Sequence, residues 1–196
     1  PAGSHIILKN KLDGGLILTA SHNPGGIDGD FGFKYATATG GQCQPAESQA
    51  IQEQTLSIRE YRISDCPDID LSTVRTARCE NTEVEIIDPF ADYIEMMEGI
   101  FDFAKLKELL TSDFRFVFDA MNGVTGPYGK KIFEEILGAP AGSVINAVPL
   151  EDFGGLHPDP NLIYAKHLVD LMYSEAAPDF AAANDGDGDR NMILGS

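Results

Sequence analysis

From about residue 101 the chain alternates between apolar stripes at helical spacing and short uninterrupted apolar runs. The order reads helix FAKLKELLT, strand FRFVFDA, helix GPYGKKIFEEILG, strand SVINAVP, helix NLIYAKHLVDLMYS and strand DFAAAN. Apolar residues recurring every three or four positions put one face of a helix into a core, whereas runs of about four to eight fit strands buried on both faces. Strands separated by helices form βαβ units and a largely parallel sheet, and right-handed crossovers bring the strand C-termini to one edge.

The first half has a looser rhythm. Residues 2–11 have helical spacing, GLILT (15–19) is a short buried strand, and 33–37 reads as a second strand. Residues 45–61 read as a helix opened by PAES, with proline near its start and glutamate in the first turn. Residues 66–79 are polar and irregular, EVEIID (83–88) is a strand, and PFADYIEMMEGIF is a helix. The change of rhythm near residues 95–103 divides the chain into residues 1–94 and 95–196. Both are expected to be α/β, with mixed to largely parallel sheets flanked by helices. The chain opens at Pro1 inside an amphipathic segment and closes on the apolar run NMILGS, so it is read as a piece of something larger, incomplete at both ends.

Composition narrows the partners. Hydrophobic residues make up 43% and charged residues 23% of 196, values inside the globular range. The net charge of −17 repels nucleic acid and anionic membrane surfaces. No apolar run is long enough for a membrane span, and no signal segment opens the chain, so a soluble, cytoplasmic protein is expected. Cys43, Cys66 and Cys79 are odd in number and form no C-x-x-C pair, which favours reduced thiols over a zinc site or a disulfide framework.

Two loops carry chemistry. In AAANDGDGDRNMI, Asp185, Asp187 and Asp189 alternate with glycines directly after a strand. Three carboxylates so close repel one another unless a cation neutralises them, and hard oxygen ligands point to Mg²⁺ or Mn²⁺. A solvated acidic turn is the competing reading, favoured for a lone D-x-D and disfavoured for D-G-D-G-D at a strand end. A calcium EF-hand is excluded, because the positions that need glycine and glutamate hold Arg190 and Ser196.

The other loop is GGLILTASHNPGGIDGDFGFK, which places Ser21 beside His22 and Lys34 a short way on. The flanks of Ser21 are Thr19 and Asn23, so the esterase elbow is absent, and Pro24 excludes S-x-x-K. A phosphoserine fits better: its charge and acceptor oxygens suit an Asp-held cation, and it can pass its phosphoryl group to a hydroxyl. That chemistry needs a proton acceptor or donor, for which His22 and Lys34 are candidates, Lys34 only with a lowered pKa. Three further stretches carry weaker signals. MNGVTGPYG (121–129) is read as a structural strand-to-helix turn, EDFGGLHPDPN (151–161) as a turn-rich loop, and His5, His157 and His167 as packing or surface residues.

Taken in order, TASHNPGG, GDFGFK and NDGDGDR resemble the α-D-phosphohexomutase superfamily. EDFGGLHPDPN and FDFAKLKELL make the chain similar to the phosphoglucomutase branch, parafusin-type proteins included. The resemblance covers nearly the whole chain. It implies the later part of domain 1 and most of domain 2 of a four-domain protein, with domains 3 and 4, and the sugar-selecting and phosphate-binding loops they carry, as the missing partners. It further implies that Ser21 carries the phosphoryl group and that Asp185, Asp187 and Asp189, with the phosphate on Ser21, hold Mg²⁺. His22 and Lys34 then serve substrate contact and proton transfer, and Arg190 stands near the phosphoserine.

The reaction implied interconverts glucose 1-phosphate and glucose 6-phosphate through glucose 1,6-bisphosphate, and the piece alone is expected to be largely inactive. Two alternatives stay open: a non-catalytic regulatory phosphoprotein of parafusin type, and a mutase for another sugar such as mannose phosphate. The segment KYATATGGQC after Lys34, and Ile27 where proline is common, depart from the family pattern.

Overall fold

The structure is a computed structural model and describes residues 1–195. It divides into two compact units. One holds Leu16–Lys34 and the chain from Met96 onward, and the other holds Ala2–Gly15 and Tyr35–Glu95.

The unit containing Leu16–Lys34 is built on a four-stranded sheet. Its strands, in chain order, are β5 (Phe116–Asp119), β6 (Val144–Ile145), β7 (Phe180–Asn184) and β8 (Asn191–Gly195), arranged β6-β5-β7-β8. β5 pairs parallel with both β6 and β7, in the register Phe116↔Phe180 to Asp119↔Ala183 on the β7 side. β8 returns antiparallel, Asn184↔Asn191, so the apolar run after the aspartates extends the sheet.

Both faces of β7 are used, which is why its FAAAN sequence is apolar without alternation. Ala181 and Ala183 are fully buried on one face and pack with Met121 and with Ala165, Leu168 and Met172 at α6 (Lys166–Met172). Ala182 lies on the other, with Phe118, Val144 and Phe133. Small side chains in the central strand let the flanking elements approach closely. A third cluster, Leu110, Leu137 and Ala139, joins α4 (Phe103–Leu110) to this core. α4 begins where the sequence predicts, because the Asp102 carboxylate accepts the Lys105 N–H at 3.1 Å.

Three elements of this unit differ from expectation in extent. The helix predicted from GPYGKKIFEEILG is α5 (Thr125–Gly129) continued by a wider π-helical stretch, Lys130–Ile136, whose last bond runs from Leu137 N to the Ile132 carbonyl five residues back. The SVINAVP strand is reduced to two residues. NLIYAKHLVDLMYS yields only the seven residues of α6, since the Asn161 side chain caps a turn at Ile163 and Tyr164 first.

The other unit relies on local devices. α1 (Ala2–Asn10) buries Ile7 and sends the Lys9 ammonium to Asp92 and Glu95 at 2.7 and 2.6 Å. α2 (Pro45–Ser57) opens as predicted, with Gln44 N–H donating to Glu47 at 2.8 Å, and has no buried residue. It stops four residues short of the expected end, at Ile58, which is extended.

The expectation of an irregular stretch across 66–79 fails at its end. Arg75–Cys79 form β3, paired antiparallel with β4 (Thr82–Ile86) through a two-residue turn in which Glu80 is left-handed (φ 52°). RTARC carries no apolar alternation, because this hairpin presents little buried surface. The expectation of reduced thiols fails too: Cys66 and Cys79 form a disulfide with Cα atoms 5.6 Å apart, and only Cys43 is free. The odd count hid a pair that the turn-back of the chain brings together across 13 residues.

β1 (Gly14–Leu18) and β2 (Phe33–Thr37) form a two-stranded sheet, and β1 is not the buried strand expected, since Leu16 is 70% and Leu18 74% exposed. α3 (Ala91–Ile100) precedes α4. Among the described residues no helix is long and apolar enough to cross a membrane.

Candidate functional site

The D-G-D-G-D stretch is the turn of the β7–β8 hairpin. Gly188 N–H closes on the Asp185 carbonyl at 3.1 Å, and Asp185 N–H donates to the Arg190 carbonyl at 3.2 Å. This tight return brings one carboxylate oxygen each of Asp185, Asp187 and Asp189 within 4.8 Å of one another. Asp185 is wholly buried, Asp187 half-buried and Asp189 exposed. Burial, reinforced by the two neighbouring carboxylates, pushes the Asp185 carboxyl above the ordinary range, against the opposing bond from Arg190 N–H at 3.0 Å.

The serine loop belongs to the same compact unit and lies on this turn. Ser21 adopts a left-handed backbone, φ 59°, which is uncommon for a residue with a side chain. Its N–H donates to Thr19 Oγ1 at 2.8 Å, and the same hydroxyl donates to Asp187 at 3.0 Å. Thr19 therefore ties the bend at Ser21 to an aspartate. Ser21 Oγ ends 3.2 Å from Asp185 Oδ2 and 3.4 Å from Asp187 Oδ1.

Two cations close the site. Lys34 Nζ donates to Asp187 and Asp189 at 2.7 Å each. Burial works to lower the Lys34 pKa, but these two bonds outweigh it and raise it, so the surroundings favour the ammonium over the neutral amine a base requires. For Asp187 burial acts upward, and the bonds from Lys34 and Thr19 hold it below the ordinary range. The Arg190 guanidinium donates to Ser21 Oγ at 3.3 Å and to His22 Nδ1.

All seven residues singled out from the sequence thus meet: Ser21, His22, Lys34, Asp185, Asp187, Asp189 and Arg190. The donor set is entirely oxygen, convergent, and in excess negative charge, which suits a hard divalent cation. A phosphate on Ser21 would stand against two carboxylates and make that need greater.

Other candidates fall to structural roles. His157 stacks flat on Tyr164, with ring centroids 4.0 Å apart. His167 Nε2 pairs with the buried Asp119 at 2.5 Å. Asp119 in turn accepts Met121 N–H at 2.8 Å and Asn146 Nδ2 at 2.9 Å. This fixes the left-handed turn at Met121 and Asn122, and Val124 N–H then donates to the Gly186 carbonyl at 3.1 Å. The MNGVTG stretch is therefore a turn that backs the aspartate loop. Thr19 and Asp119 escaped the sequence reading. Thr19 stands inside TASHNP, but its bond to a residue 168 positions on has no local signature.

Comparison with known proteins adds an independent line. Residues 91–195 match the family model described as phosphoglucomutase/phosphomannomutase, alpha/beta/alpha domain II, and residues 1–62 match that of domain I. The chain is 53% identical over 197 residues to a chloroplastic phosphoglucomutase of Arabidopsis thaliana and 50% identical over 195 to a phosphoglucomutase of Rhizobium radiobacter. All of this chain is covered in both, against 32% and 36% of those relatives, so it spans about a third of their length. The open-form crystal structure of the exocytosis-sensitive phosphoprotein parafusin of Paramecium, itself described as a phosphoglucomutase, superposes with a TM-score of 0.93 at 44% identity. That match covers 100% of this chain and 38% of that one. The chain, with its α/β architecture, belongs to the phosphoglucomutase/phosphomannomutase family.

Proposed function

We propose that this chain carries the phosphoryl-transfer and metal-binding part of a phosphoglucomutase, an isomerase of carbohydrate metabolism. The observation that carries the reading is Ser21 Oγ, 3.2 and 3.4 Å from Asp185 and Asp187 and 3.3 Å from the Arg190 guanidinium. Ser21 holds the phosphoryl group. A sugar hydroxyl attacks phosphorus, the P–Oγ bond breaks, and the hydroxyl proton ends, net, on Oγ. The bisphosphorylated sugar then reorients, and its other phosphate returns to Ser21.

Asp185, Asp187 and Asp189, with the phosphate on Ser21, hold Mg²⁺, which offsets the charge on the transferring group when bound. Arg190 neutralises phosphate oxygens, and its hold on His22 orients that ring. His22 serves substrate contact and proton transfer, and Lys34, held as the ammonium by Asp187 and Asp189, contacts substrate and takes part in proton transfer as a donor. Glucose 1,6-bisphosphate is the activator that loads Ser21, and the remaining domains of a full-length enzyme supply the sugar-selecting and phosphate-clamping loops.

We read residues 1–94 as the serine-loop domain and 95–196 as the metal-loop domain; family models that end at 62 and begin at 91 lie near this division, while the compact units group residues 16–34 with the second. The reaction is read as cytoplasmic, and the chloroplastic location of the Arabidopsis thaliana relative is a property of that protein.

Intact-mass measurement after incubation with glucose 1,6-bisphosphate and Mg²⁺ tests the reading. One phosphate is expected on the parent chain and none on Ser21→Ala; an adduct that persists in the variant contradicts it.

A further inference from the structure

The loop between β6 and α6 contains Phe153, a residue the mechanism does not use, in a conformation that costs the chain. Its φ is +53°, a left-handed backbone held by a non-glycine residue. The loop is anchored from below. Leu150 N–H donates to the Asn122 carbonyl at 3.1 Å, and Phe153 N–H to the Leu150 carbonyl at 3.1 Å.

From that base the Phe153 ring reaches both chemical loops. A Cβ built on Gly25 of the serine loop would lie 2.9 Å from Phe153 Cε2 and 2.7 Å from the Glu151 carbonyl oxygen. A Cβ built on Gly186 of the aspartate loop would lie 3.0 Å from Phe153 Cε1 and Cζ, and 2.4 Å from the Ser21 carbonyl oxygen. Distances under about 3 Å exclude any side chain, so glycine at both positions is required by close approach. The ring thus meets the loop that carries Ser21 with its Cδ2–Cε2 edge and the loop that carries the aspartates with Cε1 and Cζ. Pro158, farther along, accepts Gly186 N–H at 3.2 Å and holds the aspartate loop from the same segment.

We infer that Phe153 is a positioning residue: its ring is the spacer that sets the Ser21 loop at its working distance from Asp185 and Asp187. The left-handed backbone is the conformation in which the ring stands against both loops. An aromatic suits the task, since a flat rigid ring fixes a separation with few rotatable bonds. The effect on phosphoryl loading rests on the function proposed above; the effect on loop order does not.

The test compares the parent chain with Phe153→Ala, with Phe153→Leu as the conservative variant, and with Leu168→Ala as a core control in the same unit. Three quantities are read: amide hydrogen exchange across residues 21–29, Mn²⁺ affinity by electron paramagnetic resonance, and the initial rate of Ser21 phosphorylation by glucose 1,6-bisphosphate. Phe153→Ala is expected to speed loop exchange roughly tenfold or more. It slows loading by about 10- to 100-fold, the scale of a misplacement near 1 Å. Phe153→Leu recovers much of both, and Mn²⁺ affinity stays within about threefold because the aspartate turn closes on itself. Leu168→Ala leaves loop exchange near the parent value.

The inference is overturned if Phe153→Ala matches the parent in exchange and loading, or if Leu168→Ala reproduces both losses. A parent chain that never loads Ser21 removes the phosphoryl-carrier reading, and loop exchange then decides the role of Phe153 by itself.

Discussion

The unit that carries Ser21 and the unit that carries the Cys66–Cys79 disulfide are stabilised by different means. The first buries a continuous set of apolar side chains on both faces of a sheet, with Met121, Leu168, Ala181 and Ala183 fully inaccessible. In the second, Ile7 and Ala36 are the only buried hydrophobics among the described residues. A disulfide, a two-residue hairpin and the Lys9 ion pairs supply local order there instead. The difference teaches where chemistry can be placed. Holding Ser21 Oγ at 3.2 Å from a buried carboxylate requires a rigid support, and only a packed sheet edge provides one.

The sharpest contrast is a pair of leucines. Leu168→Ala is expected to cost about 2–5 kcal/mol in urea unfolding, since Leu168 is wholly buried. Leu56→Ala in α2, where Leu56 is 81% exposed, should cost no more than about 0.5 kcal/mol. Equal losses would break the comparison.

Reduction of the disulfide ranks next. The loop closed across a sequence separation of 13 corresponds to roughly 3 kcal/mol of chain entropy at most. The expected outcome is faster amide exchange across residues 59–86, with Mn²⁺ affinity at the aspartates unchanged. A loss of metal affinity on reduction would show that the units do not stand apart in this respect.

The smallest effect belongs to Glu134. Burial alone would raise its carboxyl, but Lys130 and the Val144 and Gly142 N–H groups outweigh burial and hold it below the ordinary 4.5. A depressed carboxyl contributes stability that is present above pH 4.5 and is lost as pH falls through the folded-state value. Glu134→Gln should therefore lower the melting temperature at neutral pH by the equivalent of about 1 kcal/mol, and the gap should narrow in acid. A gap that widens in acid would reverse the assigned sign.

The legibility of the sequence follows the same division. In the packed unit, FRFVFDA and DFAAAN were readable as strands because burial on both faces leaves uninterrupted apolar runs. The aspartate loop was readable because repulsion among three carboxylates is a local fact. β3 was not, since RTARC pairs on a surface that imposes no apolar period. The disulfide was hidden by an odd cysteine count. Thr19 and Phe153 act through partners far along the chain, Asp187 for the first and Gly25 and Gly186 for the second, and such pairings leave no periodic trace. Lys34 shows a different gap. Its position in GDFGFK marked it as a candidate, but only the structure shows that two aspartates claim its ammonium.

The central claim is that Ser21 and the aspartate turn form one site, and ³¹P NMR of the chain after loading by glucose 1,6-bisphosphate tests it directly. With one equivalent of Mn²⁺ the account predicts a phosphoserine resonance broadened beyond detection, restored to a sharp line in Asp187→Asn at the same Mn²⁺ concentration. A sharp line from phosphorylated parent chain with Mn²⁺ bound would contradict it.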